Sequence, residues 1–111
     1  MADHHMLVFT NPLAGREAEF NKWYDEIHIP EVLAVKGFTA AQRYVGTTDS
    51  PAEVPPGPRP YMAVYEIEGD VNDAFQNMMA AVSSFNMGDS LDNESSVIHF
   101  YSPIGERQQS K

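Results

Sequence analysis

Apolar residues recur along this chain with two different periods, and the alternation between them predicts its elements. His5 to Thr10 (HMLVFT) is a short apolar run closed by Asn11-Pro12, which predicts a strand followed by a turn. Leu13 to Arg16 then lead into a stretch of helical rhythm, Phe20 to Phe38 (FNKWYDEIHIPEVLAVKGF). At about 100° per residue, Phe20, Trp23, Tyr24, Ile27 and Glu31 share one stripe, while Lys22, Asp25 and Glu26 look elsewhere. His28 stands at the edge of that stripe, one turn beyond Tyr24, so the imidazole and the phenol are expected to be neighbours. Pro30 has no N–H and its ring crowds the preceding turn, so the helix is expected to kink or restart there, with Gly37 ending it in a left-handed conformation.

Phe38 to Val45 (FTAAQRYV) has strand composition and is ended by Gly46 to Asp49. Residues 50–60 hold five prolines and one glycine, which excludes helix and ladder strand and predicts a stiff surface loop, a connector or a lid. Tyr61 to Ile67 (YMAVYEI) predicts a third strand, after which Gly69 breaks the chain and Asp70 is placed to cap a helix. Phe75, Met78, Met79 and Val82 repeat at helical spacing over residues 71–83, and the methionines read as core fillers. Ser83 to Ser96 is polar and turn-rich, with room for one short helical turn around Phe85. Val97 to Tyr101 (VIHFY) predicts the fourth strand, and Pro103 and Gly105 open a polar tail over 103–111.

The order is β-α-β-β-α-β in a single domain, 1–111, which predicts an α+β, ferredoxin-like sandwich with two helices on one face of an antiparallel sheet. Its strands carry bulky apolar groups in both parities, Leu7 and Phe9 against Met6 and Val8, and Tyr61 and Tyr65 against Met62 and Val64. A sheet with one wet face alternates cleanly between apolar and polar, and this one does not. Two helices cover only one side, so the other side is expected to meet a second copy, giving a homodimer joined sheet to sheet.

Composition narrows the function by exclusion. A formal charge of −9, with only seven Lys and Arg, repels phosphate backbones and anionic membranes, so neither nucleic acid nor membrane is expected as a partner. The absence of cysteine removes disulfides, a thiolate nucleophile and zinc-thiolate sites. The first residues lack the basic-then-apolar order of a signal peptide and no apolar run approaches the ~20 residues of a membrane span, so a cytoplasmic location is expected. No glycine-rich phosphate loop, Ser-His-Asp arrangement or dinucleotide fingerprint is present.

The remaining chemistry gathers around His28. A histidine titrates near neutrality and passes protons in either direction, so in an aromatic-lined cleft it suits general acid–base catalysis. Asp25 and Glu31, three residues to either side, are placed to orient it or favour its charged form. Tyr24, with Tyr65 or Tyr61 from the third strand, supplies hydroxyl donors for a carbonyl or enolate oxygen, and Arg43 can hold a carboxylate through a bidentate pair. Phe20, Trp23 and Ile27 read as the apolar wall, and His99 as a substrate contact or as a core or interface histidine. Each has a plainer reading: His28 as a helix-end histidine bonded to a backbone carbonyl, and Arg43 as the partner of one of the sixteen acidic residues. A metal set of His28, Glu31 and His99 rests on a weak His-x-x-Glu signal, and no metal is expected.

The N-terminal strand, Phe20 with Trp23-Tyr24, the His28-Ile29-Pro30-Glu31 segment, Gly37-Phe38 and Arg43 together resemble the dimeric α+β barrel superfamily, and within it the EthD-like small proteins. The likeness in layout spans residues 6–101, and its specific part is confined to residues 20–43. It implies two ferredoxin-like subunits forming a barrel, with a ligand cleft in each between helices and sheet. Relatives in that superfamily include isomerases, polyketide cyclases, cofactor-free monooxygenases, dye peroxidases and haem-degrading enzymes, so the fold does not select the reaction. The haem-using members mostly bind iron through a histidine on a later helix. Residues 71–96 contain none, so haem is not expected. His28 matches the helix-one histidine common in the EthD-like group. The expectation is therefore a cofactor-independent enzyme acting by acid–base chemistry (isomerase, cyclase or lyase) on a small carbonyl, lactone or aromatic substrate. A cofactor-free oxygenase and a non-catalytic dimer that binds a hydrophobic metabolite are the alternatives.

Overall fold

Four strands, with successive side chains on opposite faces, make up the sheet of the computed structural model, which describes residues 2–47, 51–55, 57 and 59–111. β1 (His4–Thr10), β2 (Phe38–Val45), β3 (Tyr61–Ile67) and β4 (Val97–Tyr101) form one antiparallel sheet in the order β2-β3-β1-β4. The register places Met6 opposite Tyr65 and Phe100, and Val8 opposite Ala63 and Ile98, all on the side that the helices cover. Leu7 lies opposite Val64 and His99, and Phe9 opposite Met62 and Val97, on the other side. The expected β-α-β-β-α-β plan is the one observed.

The helices lie where the periodicity places them, with one difference in the first. α1 (Glu17–Trp23) runs into a π-helical turn at Tyr24–His28, and α2 (Ile29–Leu33) continues from it. The irregularity therefore precedes Pro30, which sits in the first turn of α2, and regular helix stops at Leu33 rather than at Gly37. Gly37 does take a positive φ, +109°, in the turn that enters β2. α3 (Val71–Ala81) is capped as expected, the Asp70 carboxylate accepting from the Asp73 N–H at 2.9 Å. A short 3₁₀ turn at Val82–Ser84 extends it and another occupies Asn93–Ser95.

The core lies between these helices and the sheet. Phe20, Tyr65 and Ile67 are fully buried there beside Met6, Tyr24, Val32 and Met78, each full burial contributing roughly 1.5–3 kcal/mol. Among the described residues no helix covers the opposite sheet face, where Tyr44, His99 and Tyr101 are exposed and Leu7, Phe9, Met62 and Val64 only half-buried. The proline-rich loop over 50–60 is partly outside the described residues, at 50, 56 and 58. Its two ends are tied down, Gly46 N–H to the Pro60 carbonyl at 2.7 Å and the Arg59 side chain to the Ser95 carbonyl at 2.8 Å. No helix among the described residues is long and apolar enough to cross a membrane.

Candidate active site

Pro30 accounts for the shape of the site. In an α-helix its ring would press on the Glu26 carbonyl, and it has no N–H to offer in exchange. The chain widens the preceding turn instead: the Ile29 N–H reaches back five residues to the Tyr24 carbonyl. One extra residue in a turn rotates everything beyond it by about 100°. Beyond Tyr24 the buried positions are consequently Val32 and Val35, and Ile27, His28 and Glu31 are each half-buried beside them. His28, which regular projection leaves at the edge, is turned inward.

Its ring is enclosed by aromatic groups. It stacks on Trp23 at 4.8 Å and 17°, and meets the edges of Tyr24 at 5.1 Å and Phe85 at 5.9 Å. Nδ1 is buried with no hydrogen-bond partner among the described residues, 3.8 Å from Glu31 Oε1, which is likewise unpartnered. The other Glu31 oxygen accepts from the Asn86 N–H at 2.6 Å, so the carboxylate is held in place by backbone. Burial is the larger influence on the imidazole and lowers its pKa below 6.5, against the attraction of Glu31, which raises it. His28 is thus a neutral base at pH 7.

Below this ring, between the first helical arm, α3 and the sheet, is a cavity of about 180 Å³. His28, Tyr24 and Tyr65 line it together. The Tyr65 hydroxyl is fully buried and has no hydrogen-bond partner among the described residues. Burial raises the pKa of both phenols, and the two hydroxyls are close enough to influence each other. Both are therefore proton-bearing donors at any ordinary pH.

Several residues that complete the cavity are not legible from the first helix. Met6, Met78, Met79 and Met87 contribute to its wall, as do Phe85 and Leu91. The methionines expected to fill the core thus also border open space. Phe85, Met87 and Leu91 belong to the turn-rich 83–96 segment, which is strapped across the first helix. The Trp23 indole N–H donates to the Asn86 carbonyl at 2.7 Å, and Arg16 holds the Asp89 carboxylate at 2.7 Å. Gly88, at φ +61°, lies flat on the Trp23 ring, where a Cβ would approach to 3.1 Å.

Other expected site residues are elsewhere. Arg43 does not line the cavity: it lies behind Tyr24, its guanidinium carbon 4.5 Å from that ring's centroid and also over Phe20 and Tyr61. Two of its five donors are engaged, by Asp25 at 3.0 Å and Asn21 at 2.8 Å, which ties β2 to the first helical arm, and it borders a polar surface hollow rather than the His28 cavity. Tyr61 donates to Glu17, accepts from Asn21 and borders a polar surface hollow beside Arg43, not the His28 cavity. Phe20, Trp23 and Ile27 pack in or against the core behind the cavity wall rather than on it. His99 is corrected by parity: paired with Leu7, it projects from the opposite sheet face, beside Phe9 and Tyr101. It cannot join His28 and Glu31 around one ion, and among the described residues no group of three or more His, Cys, Asp or Glu is placed to hold a metal.

No protein-family model and no curated protein matches the sequence. Solved structures match over the whole chain. HapK from Hahella chejuensis superposes with a TM-score of 0.61 at 10% identity, over 97% of this chain and 99% of that one. An EthD-like protein from Ralstonia eutropha JMP134 gives 0.57 at 14% identity, over 96% and 97%. A protein from Shewanella loihica PV-4, assigned provisionally as a monooxygenase, gives 0.53 at 18% identity, over 96% and 99%. At these identities the likeness is one of fold: the chain has the ferredoxin-like α+β architecture that the resemblance to EthD-like and dimeric α+β barrel proteins implies.

Proposed function

We propose that this protein is a cofactor-independent enzyme that moves protons on a small carbonyl, lactone or phenolic substrate, as an isomerase, cyclase or lyase does. The reading is carried by one observation: a neutral, buried imidazole and an unpartnered buried phenol line the same cavity. Glu31 beside Nδ1 leaves Nε2 as the nitrogen that takes a proton from a substrate carbon. The electron pair moves onto the substrate oxygen as an enolate, and the Tyr65 and Tyr24 hydroxyls donate to that oxygen. The imidazolium, now opposite a carboxylate that can close from 3.8 Å, returns the proton at a second position. Arg43 acts only through Tyr24, which it holds from behind.

Deuterium uptake tests this directly. Small cyclic enones incubated with the protein in D2O should exchange their acidic C–H positions faster than in buffer, as read by mass spectrometry. Because His28 acts as the base, the rate should rise with pH and level off at an inflection below 6.5, the direction in which burial moves this group. Stability should follow the same sign: the unfolded chain takes up the proton near 6.5 and the folded one only at lower pH. Stability is therefore fully present above about 6.5 and lost as pH falls through the folded pKa. Exchange no faster than buffer across the enone series would discard the reading.

A second reading, a cofactor-free oxygenase acting on a phenol, is favoured by the fold likeness to the Shewanella protein and by a largely apolar, partly enclosed cavity. Oxygen consumption in step with turnover separates it from proton transfer alone.

The apolar outer sheet face supports a second copy as its cover, the two sheets facing one another. Light scattering at micromolar concentration is expected to give twice the 12.4 kDa chain mass. Val64→Glu, opposite Leu7 and Gln42 on that face, should reduce it to the chain mass, because an unpaired carboxylate cannot be buried there cheaply. A wild-type protein already monomeric would end this part of the reading.

A further inference from the structure

The cavity's size and charge restrict its ligand more narrowly than the reaction does. We infer that it takes a neutral, single-ring molecule carrying one hydroxyl or carbonyl oxygen, seated on the Tyr65 hydroxyl, and that it rejects carboxylates. This rests on the reading of the His28 cavity as the substrate site.

The volume comes first. A sealed apolar cavity of about 150 Å³ holds benzene. At about 180 Å³ this one encloses a ring with one or two small substituents, and a second ring would have to lie in its open mouth beside Met79, Val82 and Ile98, which are exposed. The wall chemistry comes next. Val8, Val32, Val82, Leu91 and Ile98 make aliphatic contact, and four of the chain's six methionines, Met6, Met78, Met79 and Met87, line the same space. Thioethers contact ring edges favourably and adjust to irregular shapes. The polar lining is neutral: Thr10, Asn93 and Ser96 with His28 and the two tyrosines. Tyr65 is fully buried with its hydroxyl unpartnered, a condition that costs free energy until a ligand oxygen accepts from it.

Charge supplies the exclusion. No Lys, Arg, Asp or Glu lines the cavity among the described residues. The nearest cation, Arg43, is on the other side of the Tyr24 ring with Asp25 and Asn21 on its donors. His28 is held neutral by burial. The rest of the polar lining, Thr10, Asn93 and Ser96, is neutral, so a carboxylate entering would lose its hydration with no cation to offset the loss, whereas a phenol or an enone asks for one hydrogen bond.

Calorimetric titration of the full chain at pH 7.5 provides the test, with 4-methylphenol, toluene, benzoate and biphenyl-4-ol as probes. The expected result is that 4-methylphenol binds, benzoate binds at least about 100-fold more weakly, and biphenyl-4-ol more weakly than 4-methylphenol despite its larger apolar area. Tyr65→Phe should weaken 4-methylphenol about 10-fold and leave toluene unchanged, and it should fold normally because the hydroxyl it deletes neighbours only the Tyr24 phenol and meets no partner in hydrogen-bond geometry. Benzoate or biphenyl-4-ol binding as tightly as 4-methylphenol, an unchanged ratio of 4-methylphenol to toluene in Tyr65→Phe, or no binding of 4-methylphenol at millimolar concentration would each overturn the inference. None of these measurements needs turnover. The expected ranking without deuterium exchange therefore removes the proton chemistry alone, and exchange on a carboxylate ligand removes the ligand class alone.

Discussion

His28→Gln is expected to lower the rate of enone deuterium exchange by about 10²–10⁴-fold, the usual contribution of a positioned acid–base group. Glutamine keeps a polar planar group of similar reach against Trp23, but its amide does not take up a proton near neutrality. The residual exchange should lose the inflection below 6.5, because no group titrating there remains in the cavity wall. Circular dichroism and light scattering should still report a folded protein of unchanged size. The cost to stability should be modest, since the lost stacking and edge contacts, at 4.8 and 5.1 Å, are worth about 0.5–1.5 kcal/mol each and are partly replaced. The same variant should still bind toluene, which asks nothing of the imidazole. A folded His28→Gln protein that exchanges as fast as the wild type would assign the proton transfer elsewhere and leave His28 as part of the apolar wall.

The histidine itself was legible because its neighbours, Trp23 and Tyr24, stand at the spacing that puts aromatic groups on one helix face. Its inward rotation was not. Projection at a constant 100° carried the stripe to Glu31, and only the widened turn before Pro30 moves it to Val32 and Val35. The signal was present in the sequence as Pro30, but a proline can be relieved by a kink, by a restart or by a π turn, and the choice depends on what packs against the carbonyl it displaces. Strand parity read His99 less well, whereas Arg43, opposite Ala63, does face the helices and misses the cavity because the Tyr24 ring stands between. Both faces of this sheet are apolar, so composition gave no means of telling which face looks at the helices. The strap over residues 83–96 was the least legible part. Its order comes from single long-range bonds, Trp23 to Asn86 and Glu31 to Asn86, and these leave no periodic trace in the sequence. Those bonds, with Arg16 to Asp89 and the pairing of Pro12 with Leu91, bring Phe85, Met87 and Leu91 to the cavity.

Gly37→Ala is expected to destabilise the protein by about 2–6 kcal/mol, and here two independent effects coincide. At φ +109° the backbone lies where a side chain is strained, which costs of order 1–3 kcal/mol. The added Cβ would also stand 2.8 Å from the Ala74 Cβ and 3.3 Å from the Ala74 Cα on α3, an overlap costing typically 1–3 kcal/mol. Against a total stability of about 5–15 kcal/mol for a domain of this kind, the urea midpoint should fall sharply. Ala74→Gly separates the two effects. Alone it should cost about 1 kcal/mol in helix propensity. Combined with Gly37→Ala it removes one side of the overlap, so the double variant should be more stable than the sum of the singles by about 1–3 kcal/mol, the backbone strain remaining. Gly37 also accepts from the Glu68 N–H at 3.0 Å, tying the entry to β2 against the end of β3. The closeness of α3 to that junction sets where Met78, one turn beyond Ala74, meets the cavity. Gly37→Ala should therefore weaken 4-methylphenol binding as well, and Ala74→Gly in the double variant should restore part of it. A urea midpoint within experimental error of the wild type would mean that α3 is free to shift away from β2, and that the cavity volume is not set by this contact.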